Sequence, residues 1–117
     1  MHLKSAQLEE VDPDTGFSAA YLAITKSMGA LLAANGMRVK SGAGTHIVLI
    51  NAAAGFFESD RSARQLFGRI DKLRRVRNQM AYDGDPVTEA ELAVVISDAK
   101  ALLKLVSKSV SSLDTSR

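Results

Sequence analysis

Apolar residues return along this chain in steps of three and four. From about Thr15 to Ala34 the series Phe17, Tyr21, Ile24, Met28 and Leu31 keeps to one side of a helix. Asn35-Gly36 follows as a stop signal, and Ser41-Gly42-Ala43-Gly44 makes a loop. A second helix is expected from Thr45 to Phe57 on the stripe Ile47, Ile50, Ala54 and Phe57, with Thr45 as its N-cap. Glu58-Ser59-Asp60 interrupts the pattern and offers Ser59 or Asp60 as the next cap. The third helix runs from about Arg61 to Tyr82 on Leu66, Ile70, Leu73, position 77 and Met80, and ends at Asp83-Gly84-Asp85-Pro86. The last starts at Thr88, where Thr88 and Glu91 form a capping box. It carries Leu92, Val95, Ala99, Leu102, Val106, Val110 and Leu113, with a polar, frayed tail from 111 to 117. A further short helix is expected over residues 3–11, before the break at Asp12-Pro13-Asp14-Thr15-Gly16, where Asp12 or Asp14 can cap and Pro13 suits a first turn.

His46 to Ile50 is strand-like in isolation, but its flanks and the lack of a pairing partner favour helix. The expectation is an all-α, up-down bundle of four to five helices, with residues 1–117 forming a single domain.

Composition narrows the chemistry. The chain has 117 residues, 46% hydrophobic and 24% charged, a globular balance that supports one modest core. The absence of cysteine rules out disulfides, thiolate nucleophiles and cysteine-based zinc sites. His2 and His46 could hold a metal only with carboxylate help, so neither a metal nor a cofactor is expected. No apolar run approaches the ~18 to 20 residues of a membrane span, and Met1-His2-Leu3-Lys4 lacks a signal-type apolar region, so a cytoplasmic protein without membrane partners is expected. The net charge of +2 says little, but its distribution says more. Arg61, Arg64, Arg69, Lys72, Arg74, Arg75 and Arg77 meet only Asp71, and the acids Asp83, Asp85, Glu89 and Glu91 follow.

The third helix holds the informative residues. At 100° per residue Arg77 falls in the middle of the apolar stripe, where a guanidinium is costly unless paired or led to a cleft. Asn78 and Tyr82 are four apart and share one edge, which Asp71 and Arg74 extend. In one reading Arg77, Asn78 and Tyr82 line a polar groove that meets phosphate. Arg supplies a fork of donors, Asn both donates and accepts, and Tyr stacks on a base or bonds through its hydroxyl. In the other, Arg77 runs its stem along the core to pair with an acid such as Glu91 or Asp83, or is buried in a symmetric dimer.

The run Leu73-Arg74-Arg75-Val76-Arg77-Asn78-Gln79-Met80-Ala81-Tyr82-Asp83 resembles the signature of HEPN domains, an Arg followed after four to six residues by His, often with Asn directly after the Arg. Arg77-Asn78 takes the Arg-Asn place and Tyr82 stands where the His would be. The chain is especially similar to a bacterial subfamily with an R-R-x-R-N-x-x-x-Y-D pattern, which the Val87 to Glu91 helix start and the Ser41 to His46 stretch also fit. The resemblance covers about residues 14 to 107.

It implies a bundle of four or five helices that dimerises with its motif helices facing across a joint groove. It also implies RNA or nucleotide as ligand, and a nucleotidyltransferase-type or antitoxin protein as partner. Many members are metal-independent RNases of toxin–antitoxin or antiviral systems, in which Arg and His act on the scissile phosphate and Asn supports them. Carried over, Arg77, Asn78 and Tyr82 are the catalytic candidates, and Arg74 and Arg75 are candidate RNA contacts. Tyr82 departs from the pattern: an ordinary tyrosine pKa near 10 makes it a poor base at neutral pH.

Three functions follow: an RNA- or nucleotide-binding homodimer, a metal-independent RNase, and a non-catalytic interaction module. His46 is expected to bond locally at its helix start, and Ser41-Gly42-Ala43-Gly44 reads as a turn because no Gly-Lys-Ser/Thr follows. Asp83 and Asp85 read as turn formers rather than metal ligands, with Glu89 and Glu91 serving the next helix start.

Overall fold

The computed structural model describes residues 12–40, 42 and 44–115. The helix expected over 3–11 lies outside the described residues. Four helices follow in order: α1 (Pro13–Ala34), α2 (Thr45–Gly55), α3 (Arg61–Asp83) and α4 (Glu89–Thr115). The described residues contain no strand, and the HIVLI run is helical.

Local chemistry sets most boundaries. The Asp12 carboxylate accepts from the Thr15 N–H at 2.9 Å and Pro13 opens α1, where its missing N–H costs nothing. Asp14 does not cap α1. It accepts the Val87 N–H at 2.7 Å, tying the α3–α4 connection to the start of α1. At the far end of α1, Gly36 donates to the Ala33 carbonyl and Met37 to Leu32, closing the helix with two backbone bonds. Asp60 caps α3 through the Ala63 N–H. Thr88 and Glu91 bond reciprocally, at 2.9 and 3.0 Å, as the capping box requires. α4 continues to Thr115, past the point where fraying was expected.

α1 packs most extensively against α4, so the closest pair comes from opposite ends of the described chain rather than from sequence neighbours. Phe17, Tyr21, Ile24, Met28 and Leu31 are all buried, as the α1 stripe predicts, and meet Val95, Leu102 and Val106 of α4 in one core with Leu66, Ile70 and Leu73 of α3. Burying each such side chain contributes about 1.5 to 3 kcal/mol. Two expectations change. On α2 the buried residues are Leu49, Ile50 and Ala53, while Ile47 is exposed. The segment is apolar all round, so periodicity alone could not choose the face. The α4 stripe also includes a buried acid, Asp98.

α1 passes the length and mean hydropathy of a membrane span, which the sequence reading did not anticipate, because small residues raise its average without an unbroken apolar run. Phe17, Tyr21, Ile24, Met28, Leu31 and Leu32 fill the core of the bundle, while Leu22 is exposed.

Candidate functional site

α2 begins where the chain turns at Gly42 and Gly44. Gly44 precedes the helix with φ +76°, a left-handed conformation that a side chain would strain. Thr45 is the first helical residue and not the cap. Its hydroxyl turns back to donate to the Gly42 carbonyl, and also lies 3.2 Å from the Lys40 carbonyl. Among the described residues the helix start has neither a capping side chain nor an acidic residue in its first turn to offset the positive end of its dipole.

That start faces α3 across a cavity of about 300 Å³ lined by Gly42, Gly44, Thr45, His46, Ile47, Arg74, Arg77 and Asn78. Arg74, Arg77 and Asn78 come from the motif turn of α3. The Arg77 guanidinium lies over the Tyr21 ring of α1, 5.4 Å from its centroid, and ion-pairs with no acid among the described residues. The expected pairing with Glu91 or Asp83 does not form. Glu91 is engaged in its helix cap. Arg74 is mostly buried and donates from Nε to Asp71 at 3.0 Å, which leaves its terminal nitrogens without an acceptor among the described residues. Arg75 reaches the other Asp71 oxygen at 3.3 Å, is largely exposed and does not line the cavity.

His46 was expected to bond locally. Instead its Nδ1 lies 3.2 Å from the Tyr21 hydroxyl, so α1 and α2 meet at one hydrogen bond, with Arg77 of α3 over the same tyrosine ring. Burial holds the His46 pKa below its ordinary value, and the positive charges of Arg77 and Arg74 push it the same way, so the imidazole is neutral at pH 7. Burial pushes the Tyr21 pKa up, against the pull of Arg77 and Arg74, and the hydroxyl keeps its proton. The site thus combines a neutral imidazole oriented through one nitrogen, a cation held over an aromatic face, a second arginine and an amide. That set suits a phosphate group.

The family model of the HEPN domain matches residues 2–110. The chain belongs to the HEPN domain family. No curated protein and no solved structure matches it. In this HEPN domain the motif residues Arg77 and Asn78 share the cavity, whereas Tyr82 does not line it. Tyr82 is 88% exposed one turn further on. From the sequence His46 could supply an imidazole, but nothing places it near Arg77, and Tyr21 reads only as a core residue. The available signal was a tyrosine on an otherwise aliphatic stripe, because a buried hydroxyl needs a partner.

Two further arginines outside the cavity lining have partners within the chain. Arg69 bonds Asp98 of α4 at 3.0 Å, and Arg64 donates to the Glu58 carbonyl. The described residues contain no group of three or more potential metal ligands.

Proposed function

We propose that this HEPN domain binds RNA or a nucleotide through phosphate, held by Arg77, Asn78, Arg74 and His46 in the cavity between α2 and α3. The observation that carries the reading is Arg77: it is exposed and not on the core face that the helical period suggested, its guanidinium lies over Tyr21 at a cavity, and it has no carboxylate partner among the described residues. The test is a titration of labelled single-stranded RNA without metal, with Arg77→Ala alongside. The wild type binds and the variant loses most of its affinity, whereas equal binding by both rejects the reading. Homodimerisation belongs to the same proposal. The ring of Tyr82 is almost fully exposed at the end of α3, and a second copy would cover it. Sedimentation of the wild type and Tyr82→Ser checks this: a wild-type monomer at high concentration sinks the dimer.

Metal-independent RNA cleavage is the second reading, favoured by His46. In the tautomer whose Nδ1–H donates to the Tyr21 oxygen, neutral His46 has Nε2 left to take the proton of a ribose 2′-hydroxyl as that oxygen attacks the adjacent phosphorus. The 5′-oxygen leaves, and Arg77 and Arg74 stabilise the charge on the phosphoryl oxygens. The imidazole then comes from α2 and not from position 82. Cleavage that survives Tyr82→Phe and is lost in His46→Asn supports this assignment. The reverse pattern returns the role to Tyr82, and uncut RNA at enzyme excess removes the reading.

A further inference from the structure

We infer that the cavity selects a terminal phosphomonoester, the phosphorylated end of an RNA or a nucleotide, over an internal phosphodiester. The inference rests on the phosphate-binding reading and specifies which phosphate is bound.

Three observations carry it. First, every charged side chain among the described residues lining the cavity is an arginine. Asp71 lies behind Arg74 and occupies its Nε, leaving the terminal nitrogens for another acceptor. The uncapped start of α2 adds partial positive charge from the opposite wall. A monoester brings close to two negative charges and three terminal oxygens, whereas a diester brings one charge and two such oxygens.

Second, the described lining residues include no Phe, Tyr or Trp to stack a base, and the one ring there, the His46 imidazole, is tied to Tyr21. Tyr21 is buried beneath Arg77, and the exposed Tyr82 lies outside the lining. Recognition therefore falls mainly on the phosphate.

Third, His46 can become another cation. The groups facing it are Tyr21 from α1 and Arg74 and Arg77 from α3. Burial and, after it, the two arginines disfavour its protonation in the empty cavity. A dianion between them offsets that repulsion, so proton uptake by His46 accompanies binding.

The test uses one short single-stranded RNA in three forms, with a 5′-phosphate, with a 3′-phosphate, or with hydroxyls at both ends. The fluorophore is placed away from the tested end, and inorganic phosphate and a nucleoside monophosphate serve as competitors. Anisotropy is read at about pH 6 and about pH 8 for the wild type, Arg77→Ala, Arg77→Lys and His46→Asn, each checked for its unfolding midpoint.

One phosphorylated form is expected to bind about tenfold or more tighter than the hydroxyl form. The preference disappears in Arg77→Ala and is partly restored in Arg77→Lys. The deficit of His46→Asn against the wild type grows toward the lower pH. Competition by the nucleoside monophosphate at lower concentration than inorganic phosphate assigns the end to a nucleotide, and the better of the two phosphorylated RNAs assigns it to the 5′ or 3′ side. Equal binding of all three RNAs overturns the inference and leaves the phosphate reading standing. No binding of any RNA or competitor overturns both. A preference that persists in a folded Arg77→Ala also overturns the inference, because the end is then read elsewhere.

Discussion

Arg69 and Arg77 lie about two turns apart on α3 and differ in what they meet. Arg69 reaches Asp98, an acid 4% exposed on the core side of α4, and bonds it at 3.0 Å. Arg77 meets the face of a tyrosine and a cavity, with no acid in reach among the described residues. The first half of α3 packs Leu66, Phe67 and Ile70 into the core, and its charge is paired to permit that packing. In the second half Arg74 and Arg75 meet Asp71, and Arg77 has no acid partner among the described residues. An arginine near a core is not informative by itself. What distinguishes the two is whether the fold supplies the acid.

Ile70→Ala should break the first half most sharply. Ile70 is fully buried, and its loss is expected to cost about 2 to 5 kcal/mol in urea unfolding, with RNA affinity of the folded fraction unchanged. Arg77→Ala should do the opposite. Stability changes by about 1 kcal/mol or less, the worth of a partly exposed cation–ring contact, while RNA affinity falls by about 10- to 100-fold. Asp98→Asn removes the charge that Arg69 meets and should cost about 1 to 3 kcal/mol of stability, again sparing binding. Asp98 Oδ2 makes no hydrogen bond within the described residues, so only one oxygen of the acid is held.

Tyr21→Phe sharpens the comparison from the other side. It keeps the ring under Arg77 and removes only the bond to His46, for about 0.5 to 1.5 kcal/mol, measured by the same unfolding. The smallest effect is on pH dependence. The folded-state pKa of His46 lies below the 6.5 of the free side chain. As pH falls through 6.5 the unfolded chain takes up a proton that the folded chain resists. Stability therefore declines across that window and levels off once pH drops below the folded pKa. His46→Asn should flatten this part of the curve, and an unchanged slope would show that the imidazole is not shielded as described.

The helices were legible because each carries its own period and its own stop. The Asp12 and Asp60 caps, the Thr88–Glu91 box and the Gly36 and Gly84 ends are all local signals. The α2 face was not legible, since His46 to Ile50 is apolar on every side and only its neighbours select Leu49, Ile50 and Ala53. Half of the candidate site could be read from the chain. Arg77 and Asn78 stood out by their place on α3. His46 and Tyr21 did not, because 25 residues separate them and only the packing of α1 against α2 joins them. Tyr82 drew attention by its place in the motif, but α3 turns it away from the cavity lining. Asp98 was missed for the same reason as His46: its partner is on another helix.

The central claim is that Arg77 is held by the fold without supporting it and is available to phosphate. The direct measurement pairs an RNA titration with urea unfolding for the wild type and Arg77→Ala under one buffer. The account predicts affinity lower by about tenfold or more with an unfolding midpoint close to the wild type. Unchanged affinity with a clearly lowered midpoint would contradict it and make Arg77 a structural residue like Arg69.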